Sequence, residues 1–384
     1  MIYLRVAMIT RIPPSRCGVA EYASMLITGL RECSDLEVVV LGDSESKDEL
    51  PSAYLEPYSR VLVKKCFSTT NHAGLYQCIE GVKDVDLIHI QHEYGIFRDV
   101  GGFLRLLSKL RDRGFKVLIT LHTVMHSLAD AGLLNTQKRI VESVDKVVVH
   151  SVLQEHELIK QDIPMEKIHR IPHGTLLNPY VKESKDSLVR QLNLEPELVD
   201  RTVITTPGFI RAIDKDLSIV IKAVDLVVRR HELALLVTGS PQGEGADDVV
   251  NYMSSLSRRH VHFVGRFLSR DELLKILALS DVVVIPLVDK RKVIGVSGIF
   301  HLVIGSRKPV ICTRTHKLAE CNALAPELTL HTTSVEELAE KITLVIEGGI
   351  DVREAVARMW GYALETNWMK VAGLHCKLYK ELAG

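Results

Sequence analysis

Two doubly wound α/β domains in tandem are expected from three observations on this chain. Short β-branched runs recur along it, helical stretches fall between them, and a polar stretch, Asn178–Asp200, divides the series in two. At 384 residues the chain is also long for a single core, and two domains of ordinary size are the natural division.

The first series of strands reads Leu4–Ile9, Glu37–Leu41, Leu87–Gln91, Val117–Leu121 and Lys146–His150. Each is a short, mainly apolar run, which fits a parallel strand buried on both faces. Between them Ala20–Glu32, Gly101–Arg113, Ala131–Ser143 and Gln154–Gln161 carry helical spacing. The second series reads Thr202–Pro207, Ala234–Thr238, Val261–Val264, Val282–Pro286, Pro309–Thr313 and Leu328–His331. Its helices include Ser218–Arg230, Ser269–Ser280 and Ser334–Glu347. The expected domains are 1–178 and 179–360. A helix over Met359–Leu382, with Trp360, Trp368 and Tyr379, either packs on its own domain or returns to the first. In such sheets the strand-to-helix loops gather at the strands' carboxyl ends, where ligands bind, and a cleft between two such domains suits a small molecule.

Composition narrows the classes. Apolar residues make up 46% and charged residues 25%, which is globular. Lysine plus arginine equals aspartate plus glutamate at 48 each, so the chain lacks the basic excess of a dedicated nucleic-acid binder. The seven cysteines include no C-x-x-C pair and read as free thiols of a reducing compartment, hence a cytoplasmic protein. The apolar start through Thr10 reads as a buried first strand, not a signal peptide, and no run approaches the ~18 apolar residues of a membrane span. The helix around Leu104–Arg113 alternates leucine with Arg105, Lys109, Arg111 and Arg113, a pattern open to peripheral contact with an anionic membrane. Asn and Gln, at seven each, are scarce, as in thermophilic proteins.

Candidate site residues follow from position. The first βα loop is Pro-rich and reaches Gly18 just before a helix, where backbone can approach a phosphate. No G-x-G-x-x-G accompanies it, so the dinucleotide fingerprint is missing. Past the strand Leu87–Ile90 come His92 and Glu93, placed to meet sugar hydroxyls of an acceptor. His89 and His92 point to opposite faces of that strand and do not share a metal. His122 stands at the end of the next strand. Gly208 through Lys215 follows the first strand of the second domain, and its Arg211 and Lys215 lead into a helix N-terminus, a strong site for a diphosphate. Ser297-Gly298 opens another helix, whose amides from Val296 to Ile299 add to that anion site. Further basic clusters lie at 229–230, 257–259 and 290–292.

Together these motifs resemble glycosyltransferase family 4, over nearly the whole chain. The resemblance rests on Pro13 through Gly18, Asp86 through Phe97, Leu121-His122-Thr123, Ile171-Pro172-His173-Gly174, Gly208 through Lys215, Val261 through Gly265, Ala278 through Pro286, and Thr366-Asn367-Trp368 through Tyr379. It implies the GT-B fold, with 361–384 crossing back to the first domain. It implies retaining transfer of a hexose, mannose or glucose favoured, from a nucleotide-sugar donor to a glycan, lipid-linked or small-molecule acceptor, without a metal or other cofactor. Arg211 and Lys215 would neutralise the leaving diphosphate, His122 would position the sugar, and Val264 would lie at the base pocket. The family's pair of glutamates falls at Ile294 and Leu302 here, as in a subset that lacks it. The alternatives are a non-catalytic sugar or nucleotide binder of the same fold, or a nucleotide-sugar epimerase.

Overall fold

The computed structural model describes residues 4–43, 62–255, 259–289 and 292–384. The basic clusters at 257–259 and 290–292 fall partly outside these residues. The chain divides into two compact units. One comprises Met1–Gly174, Lys292–Val296 and Thr366–Gly384; the other comprises Thr175–Arg291 and Ser297–Glu365.

The first unit runs β1 (Leu4–Thr10), α1 (Gly18–Leu30), β2 (Leu36–Asp43), β3 (Leu62–Phe67), α2 (Ala73–Glu80), β4 (Leu87–His92), α3 (Val100–Asp112), β5 (Lys116–Leu121), β6 (Thr123–Met125), α4 (Ala131–Glu142), β7 (Lys146–Val149), α5 (Val152–Lys160) and β8 (Ile168–Arg170). Its sheet has the order β3-β2-β1-β4-β5-β7-β8 with every neighbour parallel. All six residues of β4 are buried, as expected of a central strand covered on both faces. β3 escapes the sequence pattern because Lys64 and Lys65 interrupt its apolar run, which an edge strand tolerates.

The second unit begins with α6 (Lys185–Leu192) and continues through β9 (Thr202–Thr206), α7 (Leu217–Val227), β10 (Leu233–Thr238), α8 (Ala246–Ser255), β11 (Val261–Val264), α9 (Arg270–Leu279) and β12 (Val282–Ile285). A short strand, β13 (Val293–Gly295), then pairs antiparallel with β6 and counts with the first unit. The second unit resumes with α10 (Gly298–Ile304), β14 (Val310–Cys312), α11 (Ala319–Leu324), α12 (Val335–Ile346) and α13 (Val352–Glu365). Its parallel sheet is ordered β11-β10-β9-β12-β14. Neighbouring strand residues feed opposite layers. Ile204 and Leu235 join the core under α7 and α12, while Val203 and Leu236 join the one under α6 and α9. That alternation of two apolar faces makes the unit doubly wound.

Three expectations change. The helix expected over Met359–Leu382 is two helices, α13 and then α14 (Trp368–Ala383). Asn367 breaks them apart, in extended backbone, and its side chain accepts from the Met369 and Lys370 amides as an N-cap. From Thr366 onward the chain belongs to the first unit, where Gly29 of α1 lets α14 approach closely: a Cβ there would lie 2.7 Å from Ala372 Cβ. Leu328–His331 is no strand but the end of a 3₁₀ turn, Pro326–Leu328, with one bridge from Thr329 to Cys312. Four cysteines are not free thiols: Cys66 is bonded to Cys78 and Cys312 to Cys321, leaving Cys17, Cys33 and Cys376 as thiols. The sequence hides both bridges because strand and helix geometry brings together cysteines 12 and 9 residues apart.

Candidate functional site

In the second unit the candidate side chains Arg211 and Lys215 sit at the carboxyl edge of the sheet, on the loop from Pro207 to Asp216 between β9 and α7. Backbone bonds lock this loop on both sides. Ile210 N–H donates to Ser240 O (2.9 Å) and Gln242 N–H to Ile210 O (2.9 Å). Opposite, Asp216 N–H donates to Pro286 O (2.9 Å) and Val288 N–H to Asp214 O (3.0 Å). Two glycines make the turn possible. Gly208 has φ +93° and Gly239 φ +135°, both in the region L side chains avoid, and a Cβ on Gly239 would overlap the Gly208 carbonyl.

Lys215 is buried at 8% exposure. Its ammonium donates to Pro207 O (2.8 Å) and Gly208 O (3.1 Å). Burial first, and then the nearby Arg211 guanidinium, push its pKa down to about 7, against the pull of Asp214. Arg211 Nε donates to Gln242 Oε1 (2.7 Å), and Arg211 Nη1 lies 3.8 Å from Asp214 Oδ2. The same carboxylate oxygen accepts from Lys317 Nζ at 2.8 Å. Arg211 and Lys317 thus share one buried carboxylate, Lys215 lies close enough to feel it, and burial disfavours the charged form of Lys215. Asp214, Gln242 and Lys317 were not among the expected site residues. Lys317 is 103 residues from Asp214, and no local pattern marks the pair.

The remaining second-unit candidates are placed as follows. Ile299 packs beside Gly208, at 3.4 Å from where a Cβ would stand. Ser297 caps α10 by accepting from Phe300 N–H (3.4 Å), and Gly298 is exposed at its first turn. Val264 gives its carbonyl to Gly239 N–H (3.1 Å). Val296 ends the β13 segment and counts with the first unit. Both positions where the family carries its glutamate pair are apolar here and neither is exposed. Ile294 is buried at 4% on β13, and Leu302 packs against the core of the second unit.

In the first unit, Gly18 is exposed at the start of α1, with nothing within 4 Å of where a Cβ would stand. Four residues on, α1 carries Tyr22, whose ring meets His122 edge to face at 4.7 Å between centroids. His122 is half-buried just past β5. Its amide donates to His92 O (3.1 Å), and the Gln154 side chain, itself the N3 residue of a capping box on α5, donates to the carbonyls of Leu121 (3.2 Å) and His122 (3.4 Å). Burial, with neighbouring His150, His92 and His89, holds the His122 pKa well below the usual histidine value, so the ring is neutral at pH 7. Glu93 accepts from Thr123 Oγ1 at 2.6 Å and stays partly exposed.

His92 does not fit its expected role. Its ring is 1% exposed, stacked on Phe97 at 5.5 Å and close to Phe103, and burial pushes its pKa to about 3. The last residue of β4 turns inward, so His92 belongs to the core and Glu93 alone remains of the expected acceptor pair. His89, on the other face of β4, meets Tyr379 and Thr120 instead. Among the described residues, no cluster of three or more His, Cys, Asp or Glu is placed to hold a metal ion. No helix of the described residues is long and apolar enough to cross a membrane.

Comparison with solved structures gives neighbours spanning the whole chain. The Anabaena HepE protein, solved in complex with UDP-glucose, superposes with a TM-score of 0.74 at 12% identity, covering 99% of this chain and 100% of its own. A glycosyltransferase from Rickettsia africae ESF-5 gives 0.73 at 14% identity, covering 100% and 99%. A UDP-forming α,α-trehalose-phosphate synthase from Burkholderia xenovorans, in complex with glucose-6-phosphate, gives 0.69 at 13%, covering 98% and 100%. At such identities the likeness is one of fold: two Rossmann-like units of the GT-B class. No curated protein sequence matches the chain. Family comparison matches residues 17–177 to Glycosyltransferase Family 4 and residues 201–347 to Glycosyl transferases group 1. With both units so matched, the chain belongs to glycosyltransferase family 4.

Proposed function

We propose that this protein transfers a hexose, glucose or mannose, from a nucleotide-diphosphate donor to a carbohydrate acceptor with retention at the anomeric carbon and without a metal. One observation carries the reading: the buried Lys215, beside Arg211, at the carboxyl edge of the second sheet. A departing nucleoside diphosphate gathers negative charge. A lysine already stripped of water, backed by a guanidinium, stabilises that charge more strongly than a solvated one does. The Ser297 turn contributes backbone N–H groups. Neutral His122 acts on the sugar by hydrogen bonding, not as a cation, and retention follows from same-face attack by the acceptor hydroxyl, its proton passing to the donor phosphate. The HepE complex with UDP-glucose favours a UDP-hexose as the first donor to assay.

Lys215→Ala is expected to lower donor-dependent transfer or hydrolysis at least about 100-fold, the scale of losing one preorganised donor in an oxyanion-type site. Near-wild-type turnover in that variant would remove Lys215 from the chemistry. A second reading, a nucleotide binder without turnover, is favoured by the apolar packing of Ile294 and Leu302. Calorimetry that finds UDP binding, with no turnover across UDP-, GDP- and ADP-sugars, would decide for it.

A further inference from the structure

A row of hydrogen bonds crosses the first unit from α14 to His122. Tyr379 Oη stands 2.7 Å from His89 Nδ1. His89 Nε2 is 2.8 Å from Thr120 Oγ1 and 3.2 Å from the Gln91 amide Nε2. Gln91 Oε1 is 2.9 Å from His122 Nε2. Tyr379, His89, Gln91 and Thr120 are all fully buried, so no water competes for the bonds among them.

The placement of the Gln91 amide, oxygen toward His122 and nitrogen toward His89, sets the proton order of the row. The Gln91 amide offers an acceptor at one end and a donor at the other. Its oxygen faces His122, so His122 Nε2 carries the proton and Nδ1 is left as an acceptor. Its NH₂ faces His89, so His89 Nε2 accepts, as it does from the Thr120 hydroxyl. The remaining proton of His89 then sits on Nδ1 and is donated to Tyr379 Oη. Burial raises the Tyr379 pKa well above the usual phenol value and pushes that of His89 down to about 3, so neither of these two groups ionises near neutrality.

We propose that Tyr379, His89 and Gln91 are positioning residues that fix the ring tautomer of His122, presenting an unprotonated Nδ1. A neutral imidazole is a donor on one nitrogen and an acceptor on the other, and the partner of the inner nitrogen decides which. His122 would then accept a hydrogen bond from a sugar hydroxyl through Nδ1. Its effect on turnover rests on the function proposed above; the tautomer itself does not.

The test combines ring ¹⁵N spectra of histidine-labelled protein with donor kinetics, and His122→Ala assigns the resonance. In the wild type, His122 is expected to show one neutral form protonated at Nε2. Gln91→Leu is expected to give a mixture of tautomers, and Tyr379→Phe, which keeps the ring and its packing, a measurable shift toward the other form. Tyr379→Phe is expected to lower kcat for donor turnover by about 3- to 10-fold, with KM for the donor changed by less than about twofold, as for a partner acting through another residue. If Gln91→Leu does not fold, Tyr379→Phe still decides. A His122 spectrum unchanged by Tyr379→Phe would overturn the proposal, and so would a shifted tautomer with unaltered kcat. A wild type that turns over no donor would sink the function reading instead, and the spectra would still judge the row.

Discussion

Replacing Lys215 by methionine separates what the lysine does for binding from what it costs the fold. Burial moves its pKa from 10.5 to about 7. At about 1.4 kcal/mol per pH unit, keeping the charged form buried costs about 4–5 kcal/mol. Methionine fills the stem without the charge but leaves the Pro207 and Gly208 carbonyls without their donor, which takes back about 1–3 kcal/mol. The net expectation at pH 6 is a variant more stable by about 1–4 kcal/mol, with a Tm higher by about 2 °C or more. The folded pKa lies below the unfolded one. Between about pH 7 and 10.5 the unfolded chain therefore holds more protons, and wild-type stability rises across that window. The gap between variant and wild type is accordingly widest below pH 7 and narrows toward pH 10. Scanning calorimetry from pH 6 to 9.5, with UDP titrations alongside, reads both sides: a gain in Tm and a fall in UDP affinity of at least about tenfold. A variant that melts below the wild type at pH 6, or a gap indifferent to pH, would refute the claim that burial penalises this charge.

Two further outcomes follow from the same loop. On the proposed function UDP would bring negative charge beside Lys215 and raise its pKa again, so binding at pH 8 is expected to take up most of one proton, and affinity to fall as pH rises above 7; calorimetry in buffers of different ionisation enthalpy measures this, and no uptake would refute the coupling of Lys215 to the bound anion. Gly239→Ala is expected to cost at least about 2 kcal/mol, and more than Gly208→Ala, because only the former Cβ overlaps backbone; equal melting temperatures for the two variants would show that the loop yields.

Most strands of both sheets could be read from the sequence because buried parallel strands leave short apolar runs, as in Val282–Ile285. The exceptions have local causes. Lys64 and Lys65 disguise an edge strand, and the apolar Leu328–His331 lacks a neighbour beyond one bridge to pair with. Asn367 carried a readable cap signal inside a long helical pattern, and periodicity alone passed over it. At the candidate site, the sequence put Arg211 and Lys215 on one loop because a strand end followed by cations and a helix start suits an anion. Their partners were not. Gln242 holds Arg211 and Lys317 holds Asp214 across the fold, and Tyr379 reaches His89 over 290 residues of sequence. Such pairings depend on tertiary placement, which no spacing records. The inward turn of His92 is of the same kind.

The membership of α14 in the first unit bears on how the protein is made. A ribosome releases Met1–Gly174 long before Trp368, and in the interval α1 lacks the helix that closes over Gly29. The Tyr22 ring, which meets Trp368 at 5.0 Å in the finished protein, then lacks that neighbour. The amino-terminal unit is thus the first to be synthesised and the last to be completed. A chain stopped at residue 365 would leave it with an open apolar flank, exposed to proteases and to other nascent chains.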